Sequence, residues 1–306
     1  MKKAVGSCLL LAIAGNVFAH EYKSLTELMA GWGTDVASRA VTAQTLQPGL
    51  HVLTGAGGNV IVSIGEQGVL MVDSQFPEMV PKLRQAIRDL GGNDINFTIN
   101  THWHFDHADG NPVLGREGTW LVAQENARRM MAGSHDIHFV DVSYRQPPYP
   151  AVALPVITYA DRMTFHFNGE RIDLLHFGAA HTTGDTAVLF RDANAVHMGD
   201  VFNARYPFID ADNGGDLDGM IHFCRSVLDI VDPQTRVIPG HGPVMDYGAL
   251  DRFTSMLATV RDRLQIMLDR GLTLEQVIAA KPTADFDEQF GDPALFVTKA
   301  YMSLGR

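Results

Sequence analysis

Branched apolar residues fall into short runs cut by glycine at residues 49–54, 59–64 and 69–73, which reads as three consecutive β-strands. The period then changes. Met79, Val80, Leu83, Ile87 and Leu90 recur at helical spacing across residues 77–90, and Gly91-Gly92 closes that segment. A strand at 95–100, a strand at 120–123 and a helix at 124–132 follow. The second half begins with a hairpin, 163–167 and 171–177, turning at Asn168-Gly169. Strands at 186–190 and 195–198 come next, then a helix at 216–231, a strand at 235–238 and helices at 247–269 and 274–280. A short lead helix is expected within 24–39. Residues 134–155, rich in Pro, Tyr and His, read as irregular. Two strand-rich parts, each ending in helices, suit two β-sheets packed face to face with helices outside, a four-layer α/β sandwich. No Pro-, Gly- or Ser-rich linker divides residues 20–306, so they are expected to form one domain.

The first nineteen residues break the pattern. Lys2 and Lys3 precede a mostly apolar stretch, 4–17, too short to span a bilayer comfortably. Val17-Phe18-Ala19 then offers a small-residue cleavage site before His20. The segment reads as a cleavable signal peptide and points to a periplasmic or secreted protein. No later segment is long and apolar enough to act as a membrane anchor. Losing Lys2 and Lys3 takes Lys and Arg from 24 to 22 against 35 Asp and Glu, a formal charge of −13. That balance argues against a nucleic-acid partner, which requires a basic face. Cys8 leaves with the leader, so Cys224 stands alone and no intramolecular disulfide can form. Cys224 lies in a helical apolar pattern and is expected to be core.

Candidate chemistry is concentrated where the strand at 95–100 ends, in Thr101-His102-Trp103-His104-Phe105-Asp106-His107. Imidazole and carboxylate are the usual nitrogen and oxygen ligands of zinc and its neighbours. In extended chain, side chains two apart point the same way, so His102 and His104 can converge on one ion. Asp106 and His107 follow where the chain can turn toward a second. Three further candidates each follow a predicted strand among small residues: His181, Asp200 in Met198-Gly199-Asp200, and His241 in Pro239-Gly240-His241-Gly242.

The series H102-x-H104-x-D106-H107, His181, Asp200 and His241 resembles the metallo-β-lactamase-fold hydrolases, over essentially all of residues 20–306. The resemblance implies an αβ/βα sandwich with the site in a shallow groove at one edge. It also implies a first zinc on His102, His104 and His181, and a second on Asp106, His107 and His241. Asp200 would bridge the two, as in glyoxalase-II-like members, and Asp73 would orient the ligands through hydrogen bonds. Asp106 would be the catalytic residue that positions the nucleophile and moves a proton. The implied activity is that of an exported zinc-dependent hydrolase whose ion pair shares a hydroxide and opens a small-molecule carbonyl substrate: a lactam, lactone, ester or thioester. Two readings compete with it. One is an iron-dependent oxidoreductase like the persulfide dioxygenases, since these ligands also suit iron. The other is a non-catalytic metal-binding protein of a redox pathway. The β-lactamases of this group usually carry cysteine or serine where this chain has Asp200, which shifts the expectation toward a general carbonyl hydrolase without removing β-lactamase-like activity.

Two segments are candidates for substrate choice. Residues 55–58, Gly-Ala-Gly-Gly, form either a mobile flap or an ordinary glycine-rich hairpin turn. Residues 134–155 form either a lid with an aromatic wall or a surface loop, and His135 and His138 are not expected as ligands because the site is already full. Arg205 and Tyr206, just past Asp200, are expected to contact a substrate carboxylate or carbonyl. His51, His166, His176, His197 and His222 are expected to make structural hydrogen bonds. The sequence sets no oligomeric state. Protein recovered from the export pathway of a bacterial host is predicted to begin at His20. Intact-mass measurement tests this, and a periplasmic product that retains residues 1–19 would rule out the cleavage.

Overall fold

The computed structural model describes residues 21–305, so the predicted leader and its cleavage site lie outside the described residues. A seven-stranded sheet runs in the spatial order Ile157–Tyr159, Trp120–Gln124, Ile95–Ile99, Gly68–Val72, Val60–Gly65, Leu50–Thr54, Thr42–Gln47. A six-stranded sheet runs Arg162–Phe167, Glu170–Leu175, Ala187–Phe190, Ala195–His197, Arg236–Ile238, Met245–Asp246. Strands joined by hairpins pair antiparallel. Gly68–Val72 and Ile95–Ile99, joined through the helix Val80–Asp89, pair parallel, because a parallel return needs a crossover.

Residue alternation builds the layers. Leu50, Val52, Ile61, Leu70 and Val72 face Ile172, Leu174, Val188 and Phe190 of the second sheet. Their neighbours Leu53, Val60, Val62, Val69 and Met71 point the other way, against Val80, Leu83 and Ile87. Strands covered on both faces read as continuous apolar runs, which is why they were legible. The outer face of the second sheet packs on the helices Leu217–Leu228, Tyr247–Asp269 and Ala294–Leu304. Cys224 is fully buried there. The expected four-layer sandwich is the observed fold.

Several expectations need correction. The lead helix covers only Leu25–Gly31; a Ser24–Glu27 capping box starts it, and Gly33 at φ 70° follows its end. Residues 134–155 are not wholly irregular, since His135–His138 and Val142–Gln146 form a hairpin extended by Glu21–Tyr22. Strands this short carry too few residues for alternation to register. Thr42–Gln47 was missed because it is a largely exposed polar edge strand. The final helix Ala294–Leu304 was missed as well, although Phe296, Val297 and Ala300 mark its buried face.

One side chain ties the two halves together next to the site. Asn59 Nδ2 donates to the carbonyls of Pro239 (3.0 Å) and Gly242 (2.9 Å), its amide donates to Gly240 O, and its own carbonyl accepts from His197 Nε2. Asn59→Ala leaves two carbonyl acceptors without this donor, and is expected to destabilise the protein by about 1–3 kcal/mol in urea unfolding. A stability change near zero would remove Asn59 as the clamp.

Candidate metal centre

The strand Ile95–Ile99 delivers His102 and His104, and the one-turn helix Phe105–Ala108 lifts Asp106 and His107 beside them. His181, Asp200 and His241 arrive from the ends of second-sheet strands. Their ligand atoms form three groups, each within 4.8 Å: His102, His104 and His181; His102, His107 and Asp200; Asp106, His107 and His241. All seven residues expected to be ligands therefore meet in one place.

Each imidazole has one ring nitrogen held from behind, except at the open rim. His107 Nδ1 lies 2.7 Å from Asp73 Oδ2, His104 Nε2 lies 3.0 Å from Asp210 Oδ2, and His181 Nδ1 lies 2.8 Å from Phe208 O. His102 Nδ1 lies 3.0 Å from Thr101 Oγ1, which itself donates to Asp73. Such contacts fix ring orientation and tautomer. The nitrogens left over point at one another: His181 Nε2 is 2.9 Å from His104 Nδ1, and His107 Nε2 is 3.3 Å from His241 Nε2. His102 Nε2 is buried with no hydrogen-bond partner. Burying such a set is costly unless something binds it. A cation answers this arrangement, and the donors, nitrogen and carboxylate oxygen, fit zinc or a neighbouring transition metal.

Electrostatics divide the cluster. Burial, then the neighbouring His107 and His181, hold His102 well below the usual imidazole range. Burial also lowers His181, helped by His104. Burial opposes a proton on His107 too, but the carboxylates of Asp106, Asp200 and Asp73 override it and hold His107 well above its usual range. Asp200 and Asp106 likewise push His241 up to about 10 against the effect of burial. Burial would raise the carboxyls of Asp200 and Asp106, but the charged His241 and His107 hold both below the ordinary range. The same carboxylates that favour a proton on His107 and His241 favour a metal cation there, so metal and proton compete for these ring nitrogens.

Glycines let the backbone close on this cluster. A Cβ on Gly57 would strike Asp106 O, one on Gly58 the His107 ring, and one on Gly240 the Asp200 carboxylate. Gly58 N also donates to Asp106 O at 3.1 Å. The 55–58 segment is thus a packed turn that braces Asp106 and His107, and the flap reading is not supported. Asp73 sits at φ 64°, a left-handed conformation that Asp tolerates better than most residues.

A cavity of about 270 Å³ opens over the ligands, walled by Met29, Trp32, Ile137, Phe139 and Phe208. Phe139 follows His135–His138 in the hairpin, so that hairpin does contribute the expected aromatic wall. His135 packs on Trp103 and His138 Nδ1 meets Ser143 Oγ. Tyr206 does not line the cavity; it stacks on Phe296, and its hydroxyl donates to Thr283 O and Asp287 Oδ1. Arg205 is exposed and does not line it either. His51, His176 and His197 make the expected structural contacts, whereas His166 and His222 are exposed. Asp210 and Thr101, which hold His104 and His102, were not singled out from the sequence. Asp210 stands in Ile209-Asp210-Ala211 with no spacing that ties it to the histidines.

Layered sheets with a histidine–aspartate cluster at their edge define a class, and sequence comparison gives its name. Residues 53–245 match the model of the metallo-beta-lactamase superfamily, and the chain belongs to that family. Among curated proteins it is similar to the lactamase-like protein aptB of Emericella nidulans, 24% identical over 217 residues, or 70% of this chain and 59% of aptB. The chain thus spans less than two thirds of that relative. Among solved structures, a metallo-beta-lactamase from Pontibacter korlensis superposes with TM-score 0.60 at 17% identity, covering 71% of this chain and 99% of that one. The DIM-1 metallo-beta-lactamase exposed to ceftazidime superposes with TM-score 0.59 at 17% identity, covering 72% and 97%. At these identities the likeness concerns the fold.

Two substitutions test the support behind the ligands. Asp210→Ala, which leaves His104 Nε2 unpaired, should weaken metal affinity by roughly 10–100-fold in chelator competition. Gly240→Ala should displace Asp200 and lower metal content with the fold retained by circular dichroism. Unchanged metal binding in both would mean that these contacts do not orient the site.

Proposed function

We propose that this protein is a dizinc hydrolase of small carbonyl compounds. The observation that carries the reading is the inward convergence of His102 Nε2, His104 Nδ1, His181 Nε2, His107 Nε2 and His241 Nε2 around the carboxylates of Asp106 and Asp200. His102, His104 and His181 would hold one ion and Asp106, His107 and His241 the other, with Asp200 reaching both groups, the glyoxalase-II-like arrangement. When bound, such a pair lowers the pKa of a shared water toward neutrality and polarises a carbonyl.

The protein's own groups supply the rest. Asp73 holds His107 directly and His102 through Thr101, which keeps two ligands preorganised. Asp106 is the more open of the two carboxylates, with its side chain 19% exposed against 12% for Asp200. Its Oδ2 lies 3.0 Å from His241 Nε2, and both residues line the cavity. From there it can orient the attacking water and pass its proton to the leaving group. The relatives' names, lactamase-like and metallo-beta-lactamase, support carbonyl hydrolysis as the reaction type. The aspartate at position 200 favours a lactone, ester or thioester over a dedicated β-lactam substrate. Export to the periplasm through residues 1–19 belongs to the same proposal.

Elemental analysis of purified protein should find about two zinc per chain. A panel of a lactone, a thioester, an ester and a chromogenic cephalosporin should then reveal turnover. Asp106→Asn should keep the fold and lower kcat by about 10²–10⁴-fold. One iron per chain with oxygen uptake on a persulfide would overturn the proposal in favour of an oxidoreductase. Near-normal turnover in Asp106→Asn would overturn the role given to that residue.

A further inference from the structure

We propose that the pocket accepts an uncharged carbonyl compound bearing an elongated apolar group, and that it rejects substrates whose chain ends in a carboxylate. The inference rests on the hydrolase reading above and adds the substrate class.

Three observations carry it. First, the wall over the ligands is aromatic and comes from three separate segments. Trp32 meets Phe139 edge-on at 5.0 Å, and Phe139 meets Phe208 at 5.4 Å. Trp32 is 50% exposed, which leaves part of its ring open at the cavity it lines. Second, another cavity adjoins the first. Met29 and Thr34 are shared with a second cavity of about 480 Å³, whose walls include Leu25, Ala30, Val36 and Phe76. For a substrate reacting over the ligands, an apolar arm would enter that space by displacing or passing Met29. Third, among the described residues no Lys or Arg lines either cavity, while Asp35 and Glu78 line the second. Lys299 stands 5.9 Å from the Phe208 ring centroid, but it is buried and paired with Asp212. Outside the histidine–aspartate cluster, therefore, no Lys or Arg lining either cavity is there to pair with a substrate carboxylate.

The energetic consequence is direct. Each methylene moved from water into the second cavity contributes up to about 0.8 kcal/mol, close to a fourfold gain in kcat/KM. A carboxylate carried into the same space meets acidic groups and no counter-ion.

The test uses zinc-loaded protein and 4-nitrophenyl esters of linear acids from two to eight carbons, paired with equal-length esters that end in a carboxylate. The neutral series should gain up to about fourfold per methylene. The carboxylated esters should fall at least tenfold below their neutral counterparts. Ala30→Trp narrows the second cavity and Phe139→Ala opens the first; each should flatten the dependence on chain length. Binding of octanoic anilide, followed by calorimetry and by tryptophan fluorescence, reads the pocket without turnover. Turnover with no length dependence, or with carboxylated esters preferred, overturns the inference and leaves the hydrolase reading standing. Anilide binding without turnover of any ester overturns the hydrolase reading and leaves the pocket. Absence of both overturns both.

Discussion

The carboxylate of Asp73 is the contact on which the site depends. It is fully buried at the end of the strand Gly68–Val72, and its backbone stands in the left-handed region. It accepts the Thr101 amide at 2.7 Å and the Thr101 hydroxyl at 2.8 Å, and it holds His107 Nδ1 at 2.7 Å. One side chain thus fixes the turn that launches the histidine motif, the ring of His107 and, through Thr101, the ring of His102. A buried charge with this many partners is tolerable because each partner depends on it in turn.

The second sheet answers with a matching constraint. His181 is held by the Phe208 carbonyl, Asp210 reaches across to His104 of the first half, and the second sheet's loops come close enough to meet the first because glycine stands where they touch. Gly240 lies against the Asp200 carboxylate, Gly57 and Gly58 lie against Asp106 and His107, and Asn59 ties the 239–242 loop to the first sheet. The two halves therefore contribute to one cluster at their shared edge. The apolar core between them, from Leu50 and Val72 to Leu174 and Phe190, sets the distance across which those ligands meet.

How much of this was legible follows from where the signals lie. Strands buried on both faces announce themselves as apolar runs, so the four-layer sandwich could be read before any coordinate. The cluster was legible because a metal site calls for rare residue types at short spacing, and because His181, Asp200 and His241 stand among small residues. Asp210 was not legible, because a carboxylate 106 residues from its histidine leaves no local pattern. The 135–146 hairpin escaped for a related reason, since its strands are stabilised by pairing with each other and with Glu21–Tyr22 more than by their own periodicity. Tyr206 misled because proximity to Asp200 in sequence implied proximity to the pocket. Its ring is instead drawn into the apolar cluster around Phe290 and Phe296.

That misplacement bears on specificity. With Tyr206 committed to the C-terminal helices and Arg205 exposed away from the cavity, the loop after Asp200 supplies no polar anchor for a substrate. What remains around the ligands is apolar: Met29 and Trp32 from the N-terminal segment, Phe139 from the hairpin, and Phe208. Met29, Trp32, Phe139 and Phe208 all lie outside the histidine motif and the strands that carry it. On the proposed reading, the cluster would provide a reaction common to many carbonyl compounds, while the residues that choose among them would belong to peripheral segments. Discrimination by such a wall is graded, because an added methylene contributes a modest factor. On the proposed reading, discrimination against charge is steeper, because an anion held against that wall loses its water and meets no Lys or Arg there.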